Sequence, residues 1–149
     1  MPDSRWTYTD AQEMLQRTWG YPDFRPAQQE VIRAISEGTD VLAVLPTGGG
    51  KSLLYQVPGL LEPGLTLVIS PLIALMSDQV AALQRRNIRA AYISSALGAR
   101  AVEQIFTNAE HGLYKFLYLA PERLQSELFQ ARIGHIAVSR LAIDEAHCI

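Results

Sequence analysis

Five short apolar runs recur along the chain at similar intervals, and they constrain its fold more than any other feature of the sequence. They occupy residues 41–45, 65–70, 90–94, 115–120 and 140–144. Each run is apolar at nearly every position, which is typical of strands that are buried on both faces of a parallel sheet. The segments between them have helical spacing, most clearly residues 72–86. The alternation of strands and helices, joined by right-handed crossovers, predicts an α/β fold.

The overall composition restricts the class of protein. The 149 residues are 48% hydrophobic, which is enough apolar material for one globular core of ordinary size. A formal net charge of -2 gives no general attraction to a polyanion, so any contact with nucleic acid has to come from a local surface. Cys148 is the only cysteine, which excludes an intrachain disulfide. Because we find no signal sequence and no apolar run long enough to span a bilayer, we expect a cytoplasmic protein, associated with the nucleoid if bacterial.

Two further helical patterns precede the first apolar run. Thr9 followed by Gln12 predicts a capping box at the start of one helix. Pro26, as a first-turn proline, and Gly38, as a stop, bracket the other. The aromatic, turn-rich residues 19–25 between them predict a loop. We therefore divide the chain into an N-terminal helical region, residues 1–38, and a nucleotide-binding domain, residues 39–149.

The first apolar run leads into a glycine-rich turn and then into a helical pattern that opens at Ser52. Three successive glycines allow backbone N–H groups to curl round a polyphosphate, and the helix N-terminus adds partial positive charge. Lys51 would neutralise the β and γ phosphates of ATP, and the Ser52 hydroxyl would bind Mg²⁺. The predicted phosphate-binding residues are Thr47, Gly48, Gly49, Gly50, Lys51 and Ser52. Leu45 departs from the strict GxxxxGK[ST] pattern, which leaves a simple glycine turn with a solvated lysine as the alternative, whereas Leu53 excludes a GxGxxG dinucleotide site.

Two adjacent carboxylates, Asp144 and Glu145, follow the last apolar run. They are predicted at the carboxyl edge of the sheet, where open α/β folds bind ligands. Asp144 would hold Mg²⁺ opposite Ser52, and Glu145 would polarise the attacking water. A solvated acidic turn is the alternative for these residues taken alone. A zinc site at His147 and Cys148 would have too few ligands.

These residues together resemble superfamily 2 helicases, and the RecQ family in particular. The family's motif 0 is similar to a set of residues around the predicted loop, namely Leu15, Trp19, Gly20, Phe24, Arg25 and Gln28. The resemblance implies that Arg25 and Gln28 contact the adenine of ATP while Tyr21 stacks on it. It also implies a RecA-like domain of the P-loop NTPase type, truncated at motif II.

Three later segments also resemble motifs of that family in order along the chain. Residues 70–79 are similar to motif Ia, residues 120–124 to motif Ib, and residues 144–149 to motif II. The resemblance implies a coupling role for His147 and contacts with single-stranded DNA or a junction of single and double strands. The implied DNA-contacting residues are Ser70, Pro71, Gln79, Pro121 and Arg123. From the residues alone, both of the earlier segments are simply strand exits broken by proline.

The resemblance implies a catalytic enzyme that couples ATP hydrolysis to 3′ to 5′ unwinding in DNA repair and recombination. In the family a further strand, which lies between the phosphate-loop strand and the motif II strand, and a second RecA-like domain with an arginine finger follow motif II. We therefore expect the 149 residues alone to be a poor ATPase, no motor and marginally stable. A nucleotide- or DNA-binding module without catalysis is one alternative. An RNA helicase of the DEAD or DEAH type is another, against which residues 24–28 and 148–149 argue.

Overall fold

The computed structural model describes residues 5–45 and 50–145. The chain forms two compact units, Met1–Pro63 and Gly64–Ile149. The predicted site residues Thr47, Gly48, Gly49 and His147 lie outside the described residues, and the predicted boundary after residue 38 stays a prediction. Within the described part of the chain, every helix is too short or too polar to cross a membrane.

The first unit is helical. It contains α1 (Tyr8–Trp19), α2 (Pro26–Ser36) and α3 (Leu53–Leu61). The capping box predicted at Thr9 and Gln12 is wrong, because Thr7 and Asp10 form it instead. The Asp10 N–H donates to Thr7 Oγ1 at 3.2 Å, and the Thr7 N–H donates to Asp10 Oδ2 at 2.8 Å. This pair satisfies the free amides of the first turn two residues earlier than predicted.

The predicted second helix is confirmed, since Pro26 occupies its first position. Gly38 follows its end in the left-handed region, at φ +86°. An apolar cluster holds the three helices of this unit together. Its buried members are Trp6, Ala11, Leu15, Phe24, Ile32, Leu53, Leu54 and Val57.

Residues 41–45 do not form the predicted strand. Ala43 and Leu45 pack against the apolar cluster of the first unit, whereas Leu42 and Val44 are 79% and 88% exposed. The segment therefore keeps the alternating burial of a strand without a hydrogen-bonded neighbour among the described residues. Apolar, β-branched residues favour an extended backbone, but a strand also requires a ladder partner for its N–H and C=O groups.

The second unit contains one parallel sheet, which confirms the α/β prediction. Its strands are β1 (Leu65–Ile69), β2 (Ala90–Ile93), β3 (Phe116–Leu119) and β4 (Val138–Ile143), in the order β2-β3-β1-β4. They confirm four of the five predicted strands. The connecting helices are α4 (Ile73–Arg85), α5 (Ala99–Glu110) and α6 (Glu127–Arg132). They confirm the helices predicted between the strands, of which α4 was the clearest.

Burial across this sheet is uneven. Every residue of β1 and β3 is buried, as expected for strands covered on both faces. The edge strand β4 instead leaves Leu141 and Ile143 57% and 45% exposed. Gly64 leads into β1 at φ +81°, and a Cβ there would lie 2.7 Å from the Ala137 carbonyl oxygen, so glycine is required at this position.

Candidate functional site

The side chain of Gln28 connects two of the predicted site segments in the first unit. It is 3% exposed and lies in the first turn of α2. Its Oε1 accepts the Arg25 N–H at 2.9 Å, and its Nε2 donates to the Gly50 carbonyl at 3.1 Å. The segment predicted to read adenine therefore lies in direct contact with the end of the predicted phosphate loop.

Gly50, Lys51 and Ser52 form the turn that enters α3. Gly50 has φ +72°, and a Cβ there would lie 2.5 Å from the Gln28 Nε2. Its carbonyl accepts the Leu53 N–H at 3.2 Å as well as the Gln28 amide. Ser52 is the N-cap of α3, yet its hydroxyl makes no capping hydrogen bond to that helix. The backbone of this turn is therefore fixed, while the Ser52 hydroxyl is not used to cap the helix.

The loop of residues 20–25 presents two of the predicted base-contacting side chains. Tyr21 is 53% exposed, and Arg25 is exposed beside it at the N-cap of α2. Phe24 between them is buried against Tyr8, with ring centroids 6.0 Å apart. Exposed side chains on a loop anchored by a buried ring are suited to contact a ligand.

Asp23 is a polar residue of this loop that sequence reasoning missed. Its Oδ1 accepts the Gln12 amide, the Phe24 N–H and the Tyr8 hydroxyl at 3.1, 2.7 and 3.0 Å. These hydrogen bonds, led by that from Gln12, hold the pKa of Asp23 below its ordinary value. Burial, followed by the hydrogen bond to Asp23, raises the pKa of Tyr8 to about 12. An aspartate in a Pro-Asp turn was the available signal, but its helical partners could not be read from spacing.

In the second unit, Asp144 and Glu145 follow β4 at the carboxyl edge of the sheet. The Asp144 N–H donates to the Ile69 carbonyl at 2.8 Å, which extends the ladder between β1 and β4 by one step. The Glu145 N–H donates to Asp144 Oδ1 at 3.0 Å. Glu145 has φ +54°, a left-handed conformation that costs a residue with a Cβ about 1 kcal/mol. The two carboxylates thus start from a fixed backbone position.

The predicted DNA-contacting residues of the first strand exit differ in accessibility. Ser70 is only 2% exposed, and its hydroxyl accepts the Leu72 N–H at 3.3 Å. Pro71 and Gln79 are half-buried. Leu72 and Ile73, which were not predicted, are 48% and 40% exposed at this turn. The Ser70 side chain therefore stabilises the turn and contributes little to the exposed surface.

The second predicted DNA-contacting segment lies at the same edge, after β3. Because Ile69, Leu119 and Ile93 are paired in register, the exits of β1, β2 and β3 align. The Arg123 Nη2 donates to the Ser94 carbonyl at 2.9 Å and so ties the exit of β3 to that of β2. Arg123 and Pro121 are half-buried. Arg123 therefore has an internal partner in addition to its predicted role.

An open depression of about 620 Å³ lies at the opposite edge of the sheet, where β2 and β3 begin. Its lining is mixed, with polar groups beside Leu113 and Ile88. The polar and aromatic lining residues are Gln84, Asn87, Arg89, Asn108 and Tyr114. The predicted site residues that directly follow the strands of this unit lie at the other edge.

Comparison with known proteins gives a consistent set of relatives. A family model described as DEAD/DEAH box helicase matches residues 25–149. The chain is 46% identical over 140 residues to the ATP-dependent DNA helicase RecQ of Bacillus subtilis (strain 168), an alignment that covers 93% of this chain and 24% of that protein. It is 44% identical over 142 residues to the probable ATP-dependent DNA helicase RecS of the same organism, with coverage of 95% and 28%.

A eukaryotic relative extends this similarity. The chain is 40% identical over 155 aligned positions to the ATP-dependent helicase SGS1 of Saccharomyces cerevisiae (strain ATCC 204508 / S288c), covering 96% of this chain and 11% of that protein. The chain therefore spans less than a third of the length of each of these curated relatives.

Proposed function

Since the chain belongs to the DEAD/DEAH box helicase family, and within it to the RecQ group, we propose that it binds ATP with Mg²⁺ and serves as the N-terminal nucleotide-binding part of an ATP-dependent DNA helicase. The observation that carries the proposal is the Gln28 amide, which donates to the Gly50 carbonyl. Through it, residues suited to contact a base lie next to the turn suited to contact phosphates.

Each predicted site residue of the first unit then has a role in binding. Tyr21 stacks on the base, while Arg25 and Gln28 contact its edge, since a planar amide offers both a donor and an acceptor. Lys51 neutralises phosphate charge, and Gly50 lies beside it at the end of the predicted phosphate loop. The Gln28 amide makes a hydrogen bond at each end in the described structure, and these two bonds fix the plane in which it would meet a base.

Asp144 and Glu145 supply the carboxylates that hydrolysis requires. The Ser52 hydroxyl and the Asp144 carboxylate are hard oxygen donors, which is the ligand type that Mg²⁺ prefers. When bound, Mg²⁺ would neutralise charge on the β and γ phosphates. Glu145 would accept a hydrogen bond from the attacking water and orient it.

The test is nucleotide binding by the chain, with and without Mg²⁺, measured by titration calorimetry. We expect Lys51→Ala to weaken ATP binding about tenfold or more, because a charge-assisted contact to phosphate is lost. Lys115→Ala is the matched control, since it removes the other lysine, whose ammonium donates to the Gly64 carbonyl in the second unit. Equal affinities for Lys51→Ala and the unaltered chain would contradict the phosphate-binding assignment.

The base-reading assignment has a separate measurement. Gln28→Ala is expected to reduce the preference for ATP over GTP, whereas Gln130→Ala, an exposed glutamine on α6, is expected to leave it unchanged. The ratio of the two affinities is used because partial unfolding would weaken both equally. A ratio that Gln28→Ala leaves intact would argue against adenine recognition by this segment.

The carboxyl edge of the sheet is the proposed DNA-contacting surface. Exposed Leu72 and Ile73 follow Pro71 at the exit of β1 and offer an apolar surface. Pro121 and Arg123 follow β3 at the same edge of the sheet, where Arg123 adds a cation. The two Bacillus subtilis relatives described above are DNA helicases by name, which supports DNA over RNA as the nucleic acid. Competition between single-stranded DNA and RNA of the same sequence tests this choice. Tighter binding of RNA would favour the RNA helicase alternative.

A further inference from the structure

The carboxylate of Asp23 joins the loop of residues 20–25 to both helices that flank it. Tyr8 and Gln12 on α1 donate to its Oδ1 at 3.0 and 3.1 Å. Gln29 on α2 donates to its Oδ2 at 3.4 Å. The N–H of the next residue, Phe24, also donates to Oδ1, at 2.7 Å. Four donors from three parts of the chain therefore converge on one acidic side chain.

The loop backbone on either side of Asp23 is held by the same two helices. The Gln16 amide of α1 donates to the Pro22 carbonyl at 2.7 Å. The Gln29 amide of α2 donates to the Phe24 carbonyl at 2.9 Å. Because each carbonyl is adjacent to Asp23, the backbone conformation of the loop depends on side chains rather than on a regular ladder.

The tyrosine that donates to Asp23 is itself packed against two other side chains. The guanidinium carbon of Arg33 on α2 lies 3.9 Å from the Tyr8 ring centroid, in a cation–π contact. The ring of buried Phe24 lies on another side of Tyr8, 6.0 Å between centroids. The Tyr8 hydroxyl is thereby directed at the loop, and the hydrogen bonds that it and Gln12 donate keep the pKa of Asp23 low, so that the carboxylate is charged at neutral pH.

We propose that Asp23 is a positioning residue for nucleotide recognition, which fixes the loop so that exposed Tyr21 and Arg25 meet the base in one arrangement. The inference rests on the proposed function, because it assumes that this loop reads the base. Asp23 touches no nucleotide itself. A loop ordered before binding loses less conformational freedom when the ligand arrives, so its order increases affinity for the base it matches.

The deciding measurement is the ratio of GTP to ATP dissociation constants. Asp23→Asn keeps the size of the side chain but removes the charge and one acceptor, and we expect it to lower that ratio about 3- to 10-fold. The effect is limited to this range because the carboxylate is exposed and water competes for its donors. Glu13→Gln, an exposed carboxylate on α1, is the matched control and is expected to leave the ratio unchanged. A purely structural role would weaken both nucleotides together and leave the ratio unaltered.

A milder variant covers the case in which Asp23→Asn does not fold. Tyr8→Phe removes one hydroxyl donor but keeps the ring that contacts Arg33 and Phe24, and we expect a shift in the same direction of about twofold. If both variants leave the ratio unchanged while Lys51→Ala still weakens ATP binding, the role of Asp23 is overturned and the proposed function stands. If the unaltered chain and Lys51→Ala bind ATP equally, the proposed function fails and this inference fails with it.

Discussion

The loop of residues 20–25 and the carboxyl edge of the sheet hold their exposed residues by different means. In the loop, side chains of α1 and α2 bond to Asp23 and to the two carbonyls beside it. At the sheet edge, the N–H groups of Ser70 and Asp144 continue the backbone ladder onto the Leu119 and Ile69 carbonyls. One region is therefore set by side-chain identity and the other by backbone pairing.

This difference determines which substitutions affect each region. A ladder bond survives any change of side chain that leaves the strand buried and the backbone unstrained, so the sheet edge is vulnerable mainly through its core and its glycines. A hydrogen bond from a side chain is lost when that side chain is replaced, so single polar substitutions and changes of pH can alter the conformation of the loop.

The largest expected effect concerns burial in the sheet. Leu117 on β3 is fully buried, whereas Leu141 on β4 is 57% exposed. We expect Leu117→Ala to lower the free energy of unfolding by about 2 to 5 kcal/mol, because it leaves a cavity between layers. The same change at Leu141 is expected to cost no more than about 1 kcal/mol.

Urea denaturation of the chain, followed by circular dichroism, measures both values. Since the two variants lose the same atoms, their difference reports burial alone. Equal losses would mean that β4 is covered as fully as β3 in solution, and that the edge is not held by its ladder alone.

A smaller effect is expected at two glycines with similar backbone angles. Gly64 has φ +81° and lies against the Ala137 carbonyl, which also accepts the Leu65 N–H at 2.8 Å. Gly112 has φ +72° and open space around it. We expect Gly112→Ala to cost about 1 kcal/mol of stability from the left-handed backbone, and Gly64→Ala about 2 to 4 kcal/mol because it also displaces the first bond between β1 and β4.

The pair separates backbone conformation from steric contact. Thermal unfolding of both variants provides the comparison, with the difference assigned to the Ala137 carbonyl. If Gly64→Ala cost no more than Gly112→Ala, the entry to β1 would be loosely packed, and the contrast between ladder and loop would weaken.

The sequence predicted the sheet well because burial on both faces leaves a direct signal. Residues of β1 and β3 are apolar at every position except Thr66, and both strands form within a residue or two of the predicted ends. Residues 41–45 carry the same signal and form no strand among the described residues. Composition reports a preference for extended, buried backbone, whereas pairing depends on which segments lie alongside, and that is a property of the whole fold.

The candidate site was predicted in part, and the missing part has one cause. Glycine spacing and a following helix identified Gly50, Lys51 and Ser52 from neighbouring residues. The contact of Gln28 with Gly50 joins residues that are 22 apart, and the donors to Asp23 come from two separate helices. Such contacts arise from the packing of α1, α2 and α3 against one another, which no local pattern encodes.

The smallest effect, and the most specific to the loop, is the titration of Tyr8. Burial and the hydrogen bond to Asp23 raise its pKa from 10.0 to about 12, so the neutral phenol is favoured in the folded state. The stabilisation is complete below pH 10 and is lost as the pH rises from 10 towards 12.

Ultraviolet absorption of tyrosinate in the unaltered chain, minus that of Tyr8→Phe, should give a midpoint near 12. Asp23→Asn should move this midpoint down, because the carboxylate that holds the phenol proton is gone. A midpoint near 10.0 in the unaltered chain would show that the Tyr8 hydroxyl is not bonded to Asp23. The hydrogen bonds that the loop carbonyls accept would then hold the loop instead.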